Sequence, residues 1–231
     1  METSSSPTQP WRAGLRSARA HIVPGLVLQA FALGLVYSYY HSAAANEALS
    51  RLMEFRRRTG LGFGIVSTAV FGGLLPYLYM RCWRDESGIP RYDLRQGICL
   101  VAFWAYKGIE VDLFYRLMAR IFGGGHDAAT IIPKALVDQL VYCPLLAVPA
   151  MLVVYGWMDA HFDGRALAAD LRAPRWYSRR AFPVLLSNFG VWAPAVAIIY
   201  ALPTPLQLPL QNIVLCFYTL LIAHQTRPGT A

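Results

Sequence analysis

Charge is what this sequence has least of: Asp, Glu, Lys and Arg make up 15% of its 231 residues and fall mostly between long apolar runs. That scarcity argues against a disordered chain, which pairs low hydrophobicity with high net charge, and against a nucleic-acid module, which needs a continuous basic face. Recognisable chemistry is scarce too. Cys82, Cys99, Cys143 and Cys216 share no CxxC spacing, and three of them lie inside apolar runs. Neither a disulfide framework nor a zinc site follows. No HExxH, GxSxG, GxGxxG or Walker sequence occurs anywhere in the chain, and without a clustered nucleophile, base or metal set the reading is no enzyme and no cofactor. Of His21, His41, His126, His161 and His224, four fall at run ends or in loops. His21 and His224 would share one side of a six-span arrangement and could pair on a haem or metal, although interfacial histidines are more often simply wetted. Internal repeats and low-complexity tracts are absent as well.

What the sequence has is hydrophobicity, with 56% apolar residues and a mean hydropathy of +0.38, above the usual values for soluble domains. A membrane span needs about 20 mostly apolar residues. Runs of that kind lie near 20–40, 60–82, 94–122, 131–157, 184–201 and 206–224, between tails at 1–19 and 225–231. Tyr37, Tyr39 and Tyr40 close the first run and Trp83 the second, where amphipathic rings suit a membrane interface. Pro144 and Pro149 kink the fourth, and Pro203-Thr204-Pro205 makes the last two a helical hairpin. The tail, with Arg12, Arg16 and Arg19 among serines, has the composition of an organellar transit peptide or of a plain cytoplasmic tail. The arginine placement favours the plain tail, and there is no secretory h-region or cleavage site.

The run from Leu94 to Phe122 is the difficult one, because it contains Lys107, Glu110, Asp112 and Arg116. A central Lys, Arg or Asp costs about 2.5 to 3.5 kcal/mol on insertion scales, whereas each large aliphatic residue or Phe returns about 0.3 to 0.6. It could not face lipid alone. Positive charge decides the matter: six spans place 13 arginines on the side of the termini against 6 basic residues opposite, whereas five spans divide them 11 to 10. The positive-inside rule selects six, with both termini on one side and Arg56-Arg57-Arg58 as the exception. The net charge of +8 then reports topology rather than a polyanionic partner.

Two connections are more than turns. Residues 43–59 are charged and helix-permissive, and residues 159–181 mix Arg172, Arg175, Arg179 and Arg180 with Trp176 and Tyr177. The second has the composition of an interfacial helix on anionic lipid, or of a solvated loop whose arginines fix orientation. Polar residues at membrane depth are the stronger signal, since each is costly unless it faces a bundle interior or a water-filled cavity. They are Gln29, Lys107, Glu110, Asp112, Asp138, Gln139, Asn188, Gln211 and Asn212. Lys107 and Glu110, three apart, share a helix face and can form an intramembrane ion pair, as can Lys134 and Asp138, four apart. Structural glue between helices and a water-lined pathway both account for such residues.

Two stretches resemble a known family. KALVDQLVYCP, from Lys134 to Pro144, is similar to a K-x-x-x-D-Q-x-x-x-x-P pattern, and FPVLLSNFGVWAP, from Phe182 to Pro194, looks like the closing segment of the same proteins. The family is the one containing the mitochondrial inner-membrane protein Mpv-seventeen and the twenty-two-kilodalton peroxisomal membrane protein. The likeness covers the last hundred residues well and the first hundred poorly. Ala193 separates Trp192 from Pro194 where the family commonly has the two together, and residues 94–122 look like an insertion. The resemblance implies a pore of weak selectivity in an organelle membrane, with Lys134, Asp138, Gln139, Pro144, Asn188, Trp192 and Pro194 as the residues carried over, for packing and pore lining rather than catalysis.

The expectation is an all-α, polytopic transmembrane helix bundle of about six spans, acting as a channel or pore-like protein without catalysis or cofactor. Its intramembrane polar residues would be Asp138, Gln139, Lys134, Lys107, Glu110, Asn188 and Asn212. The rival is a scaffold that organises lipid or proteins without transport. The partners would be the bilayer itself, anionic lipid near Arg172, Arg175, Arg179 and Arg180, and a second copy of the chain if it is a homo-oligomer, with no nucleic acid. The membrane would be a bacterial cytoplasmic one or, by the resemblance, the mitochondrial inner or peroxisomal membrane.

Overall fold

The computed structural model of the chain describes the backbone of residues 22–82 and 92–225 and the side chains of 25–82 and 92–220. The tail at 1–19, His21, Trp83, Arg84, Arg91, Arg227 and the side chain of His224 lie outside the described residues. Among those described the chain is helical throughout, with no strand. Eight helices follow in order: α1 (Ile22–His41) and α2 (Ala43–Thr59), α3 (Leu61–Cys82), α4 (Leu94–Phe122), α5 (Ala128–Asp159), α6 (Gly164–Leu171), α7 (Tyr177–Tyr200) and α8 (Thr204–Gln225).

Short polar side chains set where they begin. Ser42 and Asp163 accept from backbone amides at the starts of α2 and α6. At α4, Asp93 accepts from the Gln96 amide at 2.7 Å while the Gln96 side chain accepts from the Asp93 amide at 2.9 Å, a reciprocal cap that satisfies two donors left free at a helix start. Between α7 and α8 only three residues intervene, as the Pro-Thr-Pro sequence implies.

Helices α3, α5 and α7, of 22, 32 and 24 residues, are long and apolar enough to cross a membrane, which makes this an integral membrane protein. All three share a further feature. Each contains a π-helical turn whose last five-residue hydrogen bond is made by the residue just before a proline: Leu75 to the Val70 carbonyl ahead of Pro76, Val148 to Cys143 ahead of Pro149, and Phe182 to Tyr177 ahead of Pro183. Proline has no amide to donate, and its ring clashes with the carbonyl four residues back. Widening the preceding turn moves that carbonyl away, so the helix continues past the proline instead of breaking.

The helices form two compact units, one of residues 27–134 and 195–225 and one of residues 22–26 and 135–194. In the first, α3 and α4 run antiparallel, with Gly64 opposite Gly108, Gly73 opposite Val101 and Tyr77 opposite Gly97, and α8 packs on α2, α3 and α4. A Cβ at Gly108 would overlap the Gly64 carbonyl, and one at Gly73 would lie 2.8 Å from the Val101 Cα. Bare backbone at these points is what lets the two helices approach closely. In α4 the buried face is mixed: Gln96, Lys107 and Asp112 are buried among Leu100, Phe103, Trp104 and Met118, whereas Leu113, Leu117 and Ile121 are exposed. A water-facing helix would expose such charges instead.

The glycine contact yields a direct test. Gly108→Ala should lower stability in detergent by about 1 to 3 kcal/mol, the usual cost of overpacking, although alanine is the better helix former. Gly62→Ala, where a Cβ meets nothing within 4 Å, should leave stability unchanged or slightly raised. Thermal unfolding of the two purified variants reads the difference.

Candidate functional site

In the unit of residues 135–194, three polar residues expected from sequence gather around a fourth that was not. Asp138, Gln139 and Cys143 are buried on the π-helical stretch of α5, and half-buried Asn188 comes from α7. The five-residue register brings Cys143 onto the same face as Asp138. Gln139 Nε2 donates to Asp138 Oδ1 at 3.1 Å and reaches Cys143 Sγ at 3.7 Å. Cys143 Sγ lies 3.8 Å from the same carboxylate oxygen, and Asn188 Nδ2 donates to the sulfur at 3.7 Å. Gln139 Oε1 is buried with no hydrogen-bond partner among the described residues. An acceptor left in that state costs about 1 to 3 kcal/mol. Carboxylate and amide oxygen together make the cluster rich in acceptors, the chemistry that favours a cation or a water.

The carbonyl of Pro144 is the acceptor that Pro149 would serve in the five-residue register, were it able to donate. The Tyr177 hydroxyl donates to it instead, at 2.9 Å. Trp192 is half-buried and Pro194 exposed. Arg172 and Arg175 in the connection before α7, and Arg179 and Arg180 in its first turn, are all exposed. The Trp176 indole and the Arg180 guanidinium, each at 3.1 Å, hold the Asp170 carboxyl below its usual range, the indole contributing most.

The other expected residues belong to the unit of residues 27–134 and 195–225. Lys107 and Glu110 form an ion pair within α4, as their three-residue spacing allows. Asn212 donates to Ser67 at 2.9 Å and accepts from Thr68 at 3.0 Å, which joins α8 to α3. Gln29 and Gln211 lie on α1 and α8, where Gln211 Oε1 is buried without a hydrogen-bond partner among the described residues. Lys134 does not meet Asp138. Its ammonium lies over the Tyr200 ring, 5.7 Å from the centroid, while Asp138 is occupied by Gln139 and Cys143.

Sequence reasoning missed the most connected group of this unit. Within the run Arg56-Arg57-Arg58, Arg57 and Arg58 are exposed and pair with Glu54, but Arg56 turns inward to Asp112. Asp112 is fully buried and also accepts from Arg116 at 2.8 Å. Arg56 donates further to the carbonyls of Thr204, at 2.9 Å, and Pro205. The Pro205 carbonyl is the one left without a helical donor by Pro209, and a guanidinium with five fixed donors can serve it and a carboxylate together. Burial pushes the Arg56 guanidinium down from its usual value, and Asp112 pulls it back up. The available signal was an intramembrane Asp112 with one cation at i+4 and a proline five residues into the last helix. No group of three or more His, Cys, Asp or Glu gathers as a metal site among the described residues.

If Arg56 substitutes for the missing proline amide, its loss should be partly repaired by restoring that amide. Arg56→Met should destabilise the protein by about 3 to 5 kcal/mol, the usual cost of breaking a buried ion pair. Adding Pro209→Ala should recover about 1 kcal/mol, one hydrogen bond's worth. Denaturation of wild type, both single variants and the double variant measures this, and additive effects would refute the substitution.

No family model, no curated protein and no solved structure matches the chain.

Proposed function

We propose that the protein is a channel or pore-like protein that influences solute or ion permeability of its membrane, with the path beside the π-helical turn of α5. The observation that carries this reading is the acceptor cluster of Asp138 and Gln139, inside an apolar helix of membrane-spanning length, with one amide oxygen lacking a partner among the described residues. Such groups are costly to keep at membrane depth, and lining an ion or water path is a function that retains them. Asp138 would attract cations, and Asn188, from the same unit, is the further lining candidate. The Lys134–Pro144 motif, similar to the Mpv-seventeen family's, supports the same reading.

The proposed topology has six spans and both termini on the arginine-rich side. Burial of Lys107 and Asp112 beside exposed Leu113, Leu117 and Ile121 on α4 supports Leu94–Phe122 as the third. A chain without Cys82, Cys99, Cys143 and Cys216, carrying Ser5→Cys or Thr230→Cys, should label with an impermeant maleimide from the same side in both cases. Labelling from opposite sides would remove the six-span reading.

The second reading, a scaffold without transport, is favoured by one set of observations. Lys107 with Glu110, Asn212 with Ser67 and Thr68, and Asp112 with its arginines are mutually satisfied in the manner of interhelical glue. Planar bilayers separate the two. Purified protein should pass current with a cation preference, and Asp138→Asn, inserted and monodisperse, should shift the reversal potential in asymmetric salt away from cations. A scaffold passes no current, and unchanged selectivity in Asp138→Asn would remove that residue from the path.

A further inference from the structure

At one end of the unit of residues 27–134 and 195–225 two arginines share a buried carboxylate, and two tyrosine rings lead from that group to a lysine. Arg56 lies in the last turn of α2, Arg116 in the last two turns of α4 and Lys134 in the first two turns of α5, beside the last residue of α7 and the first turn of α8. Asp112 is shared by both arginines, which leaves one positive charge over. Tyr115 and Tyr200, edge to face at 5.5 Å, connect this pair to Lys134.

Lys134 is the unusual member. It is 1% exposed, yet among the described residues it makes no hydrogen bond and no ion pair, and its one contact of charge type is the face of Tyr200. The nearest carboxylate acting on it electrostatically is Asp127, which is exposed and committed to the Thr130 amide and hydroxyl at 2.9 and 3.3 Å. A ring face is worth about 0.5 to 2 kcal/mol to an ammonium, less than the several kcal/mol that burying an ion costs. An ammonium held by a ring face alone has donors free to take an anion. Helix ends, with Tyr40 sealing its hydroxyl onto the Ala201 carbonyl at 2.8 Å, are also where interfacial aromatics and lipid headgroups meet.

We propose that Lys134, seated on Tyr200 and linked through the Tyr115 ring to the end of the bundle where Arg56 and Arg116 outnumber Asp112, is a binding site for a phosphate-bearing anion. The ammonium supplies a point charge for the phosphate oxygens and half-exposed Arg116 adds the field on the solvent side. A lipid phosphodiester and free inorganic phosphate present the same chemistry and differ in whether acyl chains are needed.

The test is thermal unfolding of the full chain in an uncharged detergent. Dioleoylphosphatidylglycerol or inorganic phosphate is titrated in, against dioleoylphosphatidylcholine and against chloride at matched ionic strength. The wild-type Tm should rise saturably with a phosphate-bearing anion beyond either control. A rise with the lipid alone identifies a headgroup, and one with inorganic phosphate as well identifies a soluble anion. Lys134→Gln should weaken the apparent affinity about tenfold, equivalent to about 1.4 kcal/mol, and Lys134→Arg should restore most of it. If Lys134→Gln does not purify folded, Arg116→Gln decides, with an expected weakening of about threefold for one partly exposed charge. A wild-type Tm that neither anion moves beyond the controls overturns the site. So does wild-type affinity in Lys134→Gln or, where that variant cannot be made, in Arg116→Gln.

Discussion

A backbone carbonyl without a donor is the constraint to which most of this structure answers. In water such a group is solvated at no cost, but among apolar side chains or lipid it must find another partner. The long helices are rich in prolines, and each proline removes one donor. The answers differ from place to place. Three π-helical turns widen ahead of Pro76, Pro149 and Pro183, the Tyr177 hydroxyl reaches the carbonyl of Pro144, and Arg56 reaches that of Pro205. Two of these solutions place chemistry inside the fold. The turn in α5 carries the Asp138 cluster, and the arginine at α8 brings a charge into the interior that Asp112 must balance.

The charged residues obey the same rule with larger penalties. Asp112 is fully buried because α2 and α4 each supply it with a guanidinium, and removing either partner would leave an ion in a medium that solvates it poorly. Close helix contact depends on the bare backbone of Gly64 and Gly108, which carries α4 near enough to α3 for its polar residues to be enclosed. Buried polar groups and glycines at the crossing are thus one arrangement: the interior can hold charge because neighbours complete it.

Each unit has its own polar cluster. Asp138 and the Gln139 oxygen collect in one unit, while in the other Arg56 and Arg116 share Asp112 and Lys134 lies on Tyr200. The first suits a cation or water within the apolar region, and the second suits an anion at its edge. The two proposals rest on different residues and different readouts, so a channel without an anion site and an anion site without a channel remain distinguishable outcomes.

Much of the secondary structure was legible in the chain. Apolar run lengths marked α3, α5 and α7, the Pro-Thr-Pro sequence marked the short connection before α8, and residues 43–59 read as helix-permissive. The Lys107–Glu110 pair followed from a three-residue spacing, since both partners sit on one helix and no other element is needed to bring them together. Lys134 and Asp138 had equally good spacing and did not pair, because the Tyr200 ring and the Cys143 turn offered each a nearer partner. Arg56 stood out only as part of the run that breaks the positive-inside rule, and Cys143 only as one of four cysteines without disulfide or zinc spacing. Their roles depend on residues far along the chain, Asp112, Pro205 and Asn188, and on a π register that periodicity does not reveal. What the sequence determined by itself were the local quantities, helix length and polarity. Which buried polar group meets which was decided by the tertiary structure alone, because such pairing depends on distances between helices that no spacing along one helix encodes.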